Sequence, residues 1–273
     1  MTDDSNKDMP EVIVKAMERC ASELCLDIIR YRDDHKIKAL SYLPFYSIKL
    51  FEDTFESLAK AIHGLNFVEK KNWKEHNKFQ VAFFASIPKT LFSAFQQIMS
   101  GDYFEGLATC RIAYETLLRV CFIEVYPEKK YSTISRQKNE ERFSPTNFLK
   151  DKLKVVDKDP FYEFLSFSVH SQFTVLKTLA EGQEQGGLLI NLGFEYEEKY
   201  LQVSFNNLTV ITYFAVRLFQ GLFNTFLTGH KYLLLGEKPL ATCIKDLPNK
   251  LNNIPILIEQ ILVKLSDLRK GEI

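Results

Sequence analysis

The sequence predicts an all-α fold: a multi-helix bundle with at most a small extended hairpin near 188–205. Three observations predict it. Apolar residues recur at i, i+3/i+4 and i+7 along most of the chain, the period of helices with one buried face. Chain breakers are few, with 11 Gly and 9 Pro in 273 residues. Phe is abundant at 23 and the hydrophobic fraction is 46%, enough large side chains to fill a core between helices.

The first helix is expected from Pro10 to about Arg32, with Pro10 in its first turn and Val12, Ala16, Met17, Cys20, Leu24 and Ile28 at helical spacing. The charged run from Arg30 to Lys36 reads as its solvated end and a turn. A second helix, Pro44 to Ile62, places Phe45, Ile48, Phe51, Phe55, Leu58 and Ile62 on one face and stops at Gly64. A third, Asn77 to Met99, contains Pro88, which should kink or divide it. Ser100-Gly101-Asp102 makes a turn, and Asp102 is a good N-cap for a helix over 103–126 that Pro127 ends. That helix is apolar nearly all round, so it is expected to be buried.

Residues 128–142 are polar, charged and poor in apolar side chains, and read as a mobile loop. Ser144-Pro145 and Asp159-Pro160 each set a capping residue before a first-turn proline, so two helix starts follow. Leu188 to Phe194 and Tyr200 to Phe205 could pair as the short hairpin. A long apolar helix covers about Leu208 to Leu227, and a last one Ile254 to Arg269. Arg217 and flanking Asn residues interrupt the former, so it reads as a buried helix rather than a membrane span. No repeat or Pro/Ser/Gly-rich linker divides the chain, and residues 1–273 are expected to form a single helical domain.

Charge and cysteine usage bound the function. With 35 basic and 35 acidic residues the net charge is zero, so binding of nucleic acid through a global positive field is disfavoured and only a local patch could serve. Five Cys, none in a C-x-x-C pair, read as reduced core residues of a cytoplasmic protein, and the polar start MTDDSNKDMPE lacks a signal peptide's apolar run. No metal-ligand spacing, phosphate-binding glycine loop or nucleophile elbow appears, so no metal and no cofactor are expected.

The chemistry-bearing residues converge on helix 103–126. Arg111, Glu115 and Arg119 lie four apart and form one stripe on it, with Tyr114 alongside. If buried, they must pair or hold a ligand, because an isolated interior charge costs several kcal/mol, of order 3–5 when a partner is missing. The stripe is either a core ion-pair network or an internal anion site in which Glu115 orients the Arg forks. His170 lies in a largely apolar helix and reads as a core residue with one hydrogen bond, or as a general base. Arg30 and His35 form a weaker pair at the charged end of the first helix, where a solvated surface is the plain reading.

Arg111-Ile-Ala-Tyr114-Glu115-Thr-Leu-Leu118 together with Tyr162-Glu-Phe-Leu165-Ser166-x-x-x-His170 resembles a family of bacterial all-helical proteins that is loosely HEPN-like, with an Arg-x-x-x-Glu helix and a later Leu-Ser-x-x-x-His helix. The resemblance spans roughly residues 80 to 230. It implies an all-helical bundle in which Arg111, Glu115 and His170 approach each other; these three are the candidate catalytic residues, with Arg119, Tyr114, Tyr162 and Ser166 as candidate binding residues. It further implies a role linked to anti-phage defence or a toxin system. The Arg30-x-x-x-x-His35 spacing is similar to the catalytic signature of HEPN ribonucleases.

Two functions follow, and the sequence leaves open whether the protein is an enzyme. In the first it is a non-catalytic helical interaction or regulatory protein that binds a protein partner or itself, with a buried Arg-Glu-His cluster holding the core. In the second it is a metal-independent HEPN-like ribonuclease or nucleotide-directed effector, with RNA as the partner. No membrane association is expected in either.

Overall fold

The computed structural model describes residues 29–30, 32–43, 45–65, 73–129, 143–155, 159–170, 198–227 and 253–270. Among these the architecture is all-α: helices packed as a bundle, without strands. The elements are α1 (residues 32–42), α2 (Phe45–Gly64), α3 (Glu75–Met99), α4 (Tyr103–Val125), the single turn α5 (Pro145–Asn147) running into a π-helical turn (Phe148–Lys152), α6 (Pro160–His170), α7 (Glu198–Leu227) and α8 (Asn253–Lys270). The expected helix over 10–28, the loop residues 130–142 and the Leu188–Phe194 half of the hairpin lie outside the described residues.

α4 is the central element and touches α3, α6, α7 and α8. Cys110, Ala113, Tyr114, Leu117, Leu118, Val120 and Cys121 are fully buried in it. Aromatic edges join the helices around it. Phe84 of α3 meets Phe219 and Phe223 of α7 at 5.5 and 5.6 Å, and Phe51 of α2 stacks on Phe95 of α3 at 4.9 Å. Burying one such ring contributes about 1.5–3 kcal/mol, so these contacts decide local conflicts. Pro88 is one of them. A proline inside a helix costs about 3 kcal/mol, yet α3 runs unbroken through it for 25 residues. Phe84, Ile87 and Leu91 on either side of Pro88 are fully buried, and their packing holds the helix together.

Two further expectations need correction. The charged run Arg30–Lys36 is not a frayed end, because the helix continues to residue 42. Its reason is the stripe His35, Ala39 and Leu43, all buried, which the charges around it concealed. Tyr200–Phe205 is not extended either. It forms part of α7, where Leu201, Phe205 and Leu208 bury at helical spacing. No helix among the described residues is long and apolar enough to cross a membrane.

The ends of the helices are set by specific backbone chemistry. α3 closes in a Schellman motif: Gly101 N–H returns to Ile98 O at 3.2 Å and Asp102 N–H to Gln97 O at 2.9 Å. The motif needs a left-handed residue, and Gly101 supplies it at φ +88°. The π-helical turn closes similarly, with Val155 N–H on Leu149 O at 3.1 Å, but its left-handed residue is Lys154 at φ 52°. A side chain there costs roughly 1 kcal/mol relative to glycine.

Candidate functional site

Arg111, Glu115 and Arg119 share one face of α4, as their spacing requires. That face is not the centre of the core. Their side chains keep 19%, 21% and 33% of their exposure, and neighbouring Ile112 is exposed. The expectation of a fully buried row is therefore corrected. Apolar composition alone missed that, among the described residues, no helix covers the Glu105, Ile112 and Arg119 side of α4.

The row is bound to α6. Arg111 Nε donates to Glu115 Oε1 at 2.9 Å, and its Nη2 donates to the Tyr162 hydroxyl at 2.8 Å. That hydroxyl in turn donates to Glu115 Oε1 at 3.1 Å, closing a ring of three hydrogen bonds, while the guanidinium sits 4.9 Å from the Tyr162 ring centroid. Burial works against the Arg111 charge, but the bonds to Tyr162 and Glu115 outweigh it and hold its pKa above the usual value. Arg119 lies at the far side, 3.8 Å from Glu115 Oε2 and 5.8 Å over the Phe143 ring. Its Nε is buried and without a hydrogen-bond partner among the described residues, as is the Ser166 hydroxyl one turn beyond Tyr162. Arg111, Glu115 and Tyr162 are thus brought together. His170 ends α6, and its side chain lies outside the described residues.

Tyr114 points the other way, into the core. It is fully buried, and its hydroxyl donates to Asp159 Oδ2 at 2.9 Å. Asp159 Oδ1 accepts the backbone N–H groups of Phe161 and Tyr162, both at 3.0 Å, which makes it the N-cap that the Asp-Pro pair predicts. Burial raises the Asp159 carboxyl above the usual carboxylate value, against the pull of these three donors. The cap and the Arg111–Tyr162–Glu115 ring together fix the start of α6 on α4. The Asp-Pro signal located the cap, but nothing in the sequence linked it to Tyr114.

His35 is buried, not solvated. Its Nδ1 faces Met99 O at 3.0 Å and its Nε2 the Tyr103 hydroxyl at 2.7 Å. A carbonyl only accepts, so Nδ1 carries the proton in the neutral ring and Tyr103 donates to Nε2. Burial lowers the His35 pKa. Beside it Arg32 Nη2 donates to Asp102 Oδ2 at 2.6 Å, which takes the Asp102 carboxylate away from the N-cap bond expected of it. Arg30 is exposed, so this pair presents no exposed histidine beside an arginine.

α1, α2 and α3 frame a groove of about 510 Å³. Leu40, Ile48, Phe92, Phe95 and Met99 give it an apolar lining, and Arg32, Asp33, Lys36 and Glu52 a rim of both signs. Ile29, Ile37, Leu40 and Tyr42 near or on α1 and Phe92 on α3 are exposed large apolar side chains. Among the described residues no group of three His, Cys, Asp or Glu side chains is placed to hold a metal ion. Comparison of the chain with family models, with curated proteins and with solved structures finds no match. The likeness to HEPN-like proteins therefore stands on the motif residues alone.

Proposed function

We propose that this is a non-catalytic helical interaction protein that works through self-association, and that the α1 face over the groove is the contact. The observation that carries this reading is the set of exposed apolar side chains that share the groove, Ile29 and Leu40 on its α1 side and Phe92 on its α3 side. Contiguous apolar surface of this kind marks association sites on folded proteins. Groove-lining residues Ile29, Asp33, Lys36 and Leu40 recur at spacings of four, three and four, which is the seam of a helix that packs on another helix. The seam is also self-complementary. An antiparallel second copy about a two-fold axis sets Ile29 against Leu40 and Asp33 against Lys36, each pair twice.

The Arg111–Tyr162–Glu115 ring supports the non-catalytic half of the reading. Its donors and acceptors satisfy one another, so it acts as a clamp between α4 and α6. Sedimentation velocity over a concentration series is the test. The wild-type chain should shift from monomer to dimer in the micromolar range. Leu40→Glu and Phe92→Glu should stay monomeric with unchanged helical circular dichroism, and the exchange pair Asp33→Lys with Lys36→Asp should restore association that either single change weakens. A chain that remains monomeric throughout, or RNA cleavage that Arg111→Ala or His35→Ala abolishes in a folded protein, overturns the reading.

A further inference from the structure

We infer that the far end of α4, around Tyr126, binds the phosphate backbone of a single-stranded nucleic acid. Pro127 ends α4, and the short 3₁₀ turn after it (residues 127–129) folds Lys129 back over the ring it has just left. The Lys129 ammonium lies 5.4 Å from the Tyr126 ring centroid. Lys152, from the π-helical turn, brings a second ammonium to 5.9 Å from the same ring. A ring quadrupole attracts each cation, and it gathers here two like charges that would otherwise repel. Arg119 adds a third cation over Phe143, and Phe143 meets Phe122 at 5.3 Å, which in turn meets Tyr126 at 5.2 Å. The result is a strip in which basic groups alternate with aromatic rings.

Lys150, Lys152 and Lys154 are all exposed on or just after the π-helical turn. The acidic groups in the same turns are Glu128 and Asp151, both exposed, and Glu115 faces Arg119. Among the described residues of these two turns the balance is positive, in a chain whose overall charge is zero. Lys154 adds an independent sign. It occupies the left-handed position that closes the turn, where glycine would be unstrained, and so keeps a cation at a conformational cost. Residues held against a local preference concentrate at functional sites.

The chemistry selects the ligand. Lysines are point charges suited to a row of phosphates rather than to the planar carboxylate that an Arg fork grips. Phe122 is buried beneath them, but Tyr126 and Phe143 are only partly buried and leave ring surface on which an unpaired base can rest. An acidic peptide would use the charges and leave the rings idle. This surface lies a whole helix away from the α1 groove, so it does not depend on self-association.

Fluorescence anisotropy of a labelled oligouridylate, titrated with the full-length chain at low salt, tests the inference. Binding is expected, with log K falling against log salt at a slope of about −2, which corresponds to about three phosphates neutralised. Lys129→Glu with Lys152→Glu should weaken binding by about tenfold or more at unchanged helicity, whereas Lys89→Glu, exposed on α3, should not. Lys154→Gly is the decisive variant. It should raise the urea midpoint and yet weaken binding by about two- to threefold, because one counterion fewer is released. No binding by the wild type, binding indifferent to the double reversal, equal binding of a polyglutamate peptide, or a Lys154→Gly chain that binds as tightly as wild type overturns the proposal.

Discussion

Asp159 is a buried carboxylate held by an O–H and two N–H groups rather than by a cation. Neutral donors stabilise a buried charge less than an ion pair of good geometry, and burial duly raises its pKa. Its stability therefore rests on keeping each donor. Removing the hydroxyl in Tyr114→Phe leaves Oδ2 dry and unpaired, at a cost of about 1–3 kcal/mol. Urea denaturation should show that loss with an unchanged slope. A midpoint equal to wild type would mean that water replaces the hydroxyl. His35 shifts the other way, because burial lowers its pKa below 6.5. The unfolded chain then binds the proton first. This contribution is complete above the unfolded value of about 6.5 and is lost as pH falls below it toward the folded pKa. The groups acting on the ring are Asp102, which favours its charge, Lys38, which opposes it, and the Met99 carbonyl, which favours it. Thermal melts between about pH 7 and 5 should show stability falling with acid, and His35→Gln, which does not titrate, should flatten that part of the profile. A slope identical in both proteins would place the acid sensitivity elsewhere.

At the scale of elements, α1 docks on the α3–α4 turn through His35, and Gly101 decides how closely. A Cβ on Gly101 would stand 2.8 Å from His35 Cδ2, and its φ of +88° already disfavours any side chain. The imidazole is buried and bonded at both nitrogens, so it cannot step aside cheaply. Gly101→Ala should cost about 2–3 kcal/mol from strain and clash together, and hydrogen exchange should show α1 losing protection before α4. Equal loss in both helices would deny α1 this dependence on the turn. The same place shows what periodicity can and cannot reveal. Helices α2, α3, α4, α6 and α8 follow closely from apolar spacing, caps and prolines, because those signals act within one element. α1 did not, since only every fourth residue of a charged run is buried, and two of the three are His35 and Ala39. Arg111 and Glu115 were legible as a pair because four residues on a helix is a local distance. Tyr162 as their partner, Tyr114 as the partner of Asp159, and the half-exposed position of the whole row depend on where α6 lands. That is a tertiary fact with no local sequence mark.

Across the whole molecule, α4 separates two surfaces of different chemistry. Its first turn carries Tyr103, bonded to His35 behind the apolar α1 groove, and its last residues lead to Tyr126 among the lysines. At 1.5 Å per residue the helix sets these ends about 34 Å apart. If the first surface pairs two copies and the second holds a strand, a dimer presents two strand sites at a fixed separation. Affinity then depends on strand length in a way that neither surface produces alone. A strand too short to reach both sites should bind wild type and the monomeric Leu40→Glu chain equally. A strand long enough to span them gains an effective local concentration, and wild type should hold it about ten- to a hundredfold more tightly than Leu40→Glu. Anisotropy titrations with a ladder of oligouridylates would locate that divergence. Should the two chains bind every length alike, the ends of α4 do not cooperate, whatever each does by itself.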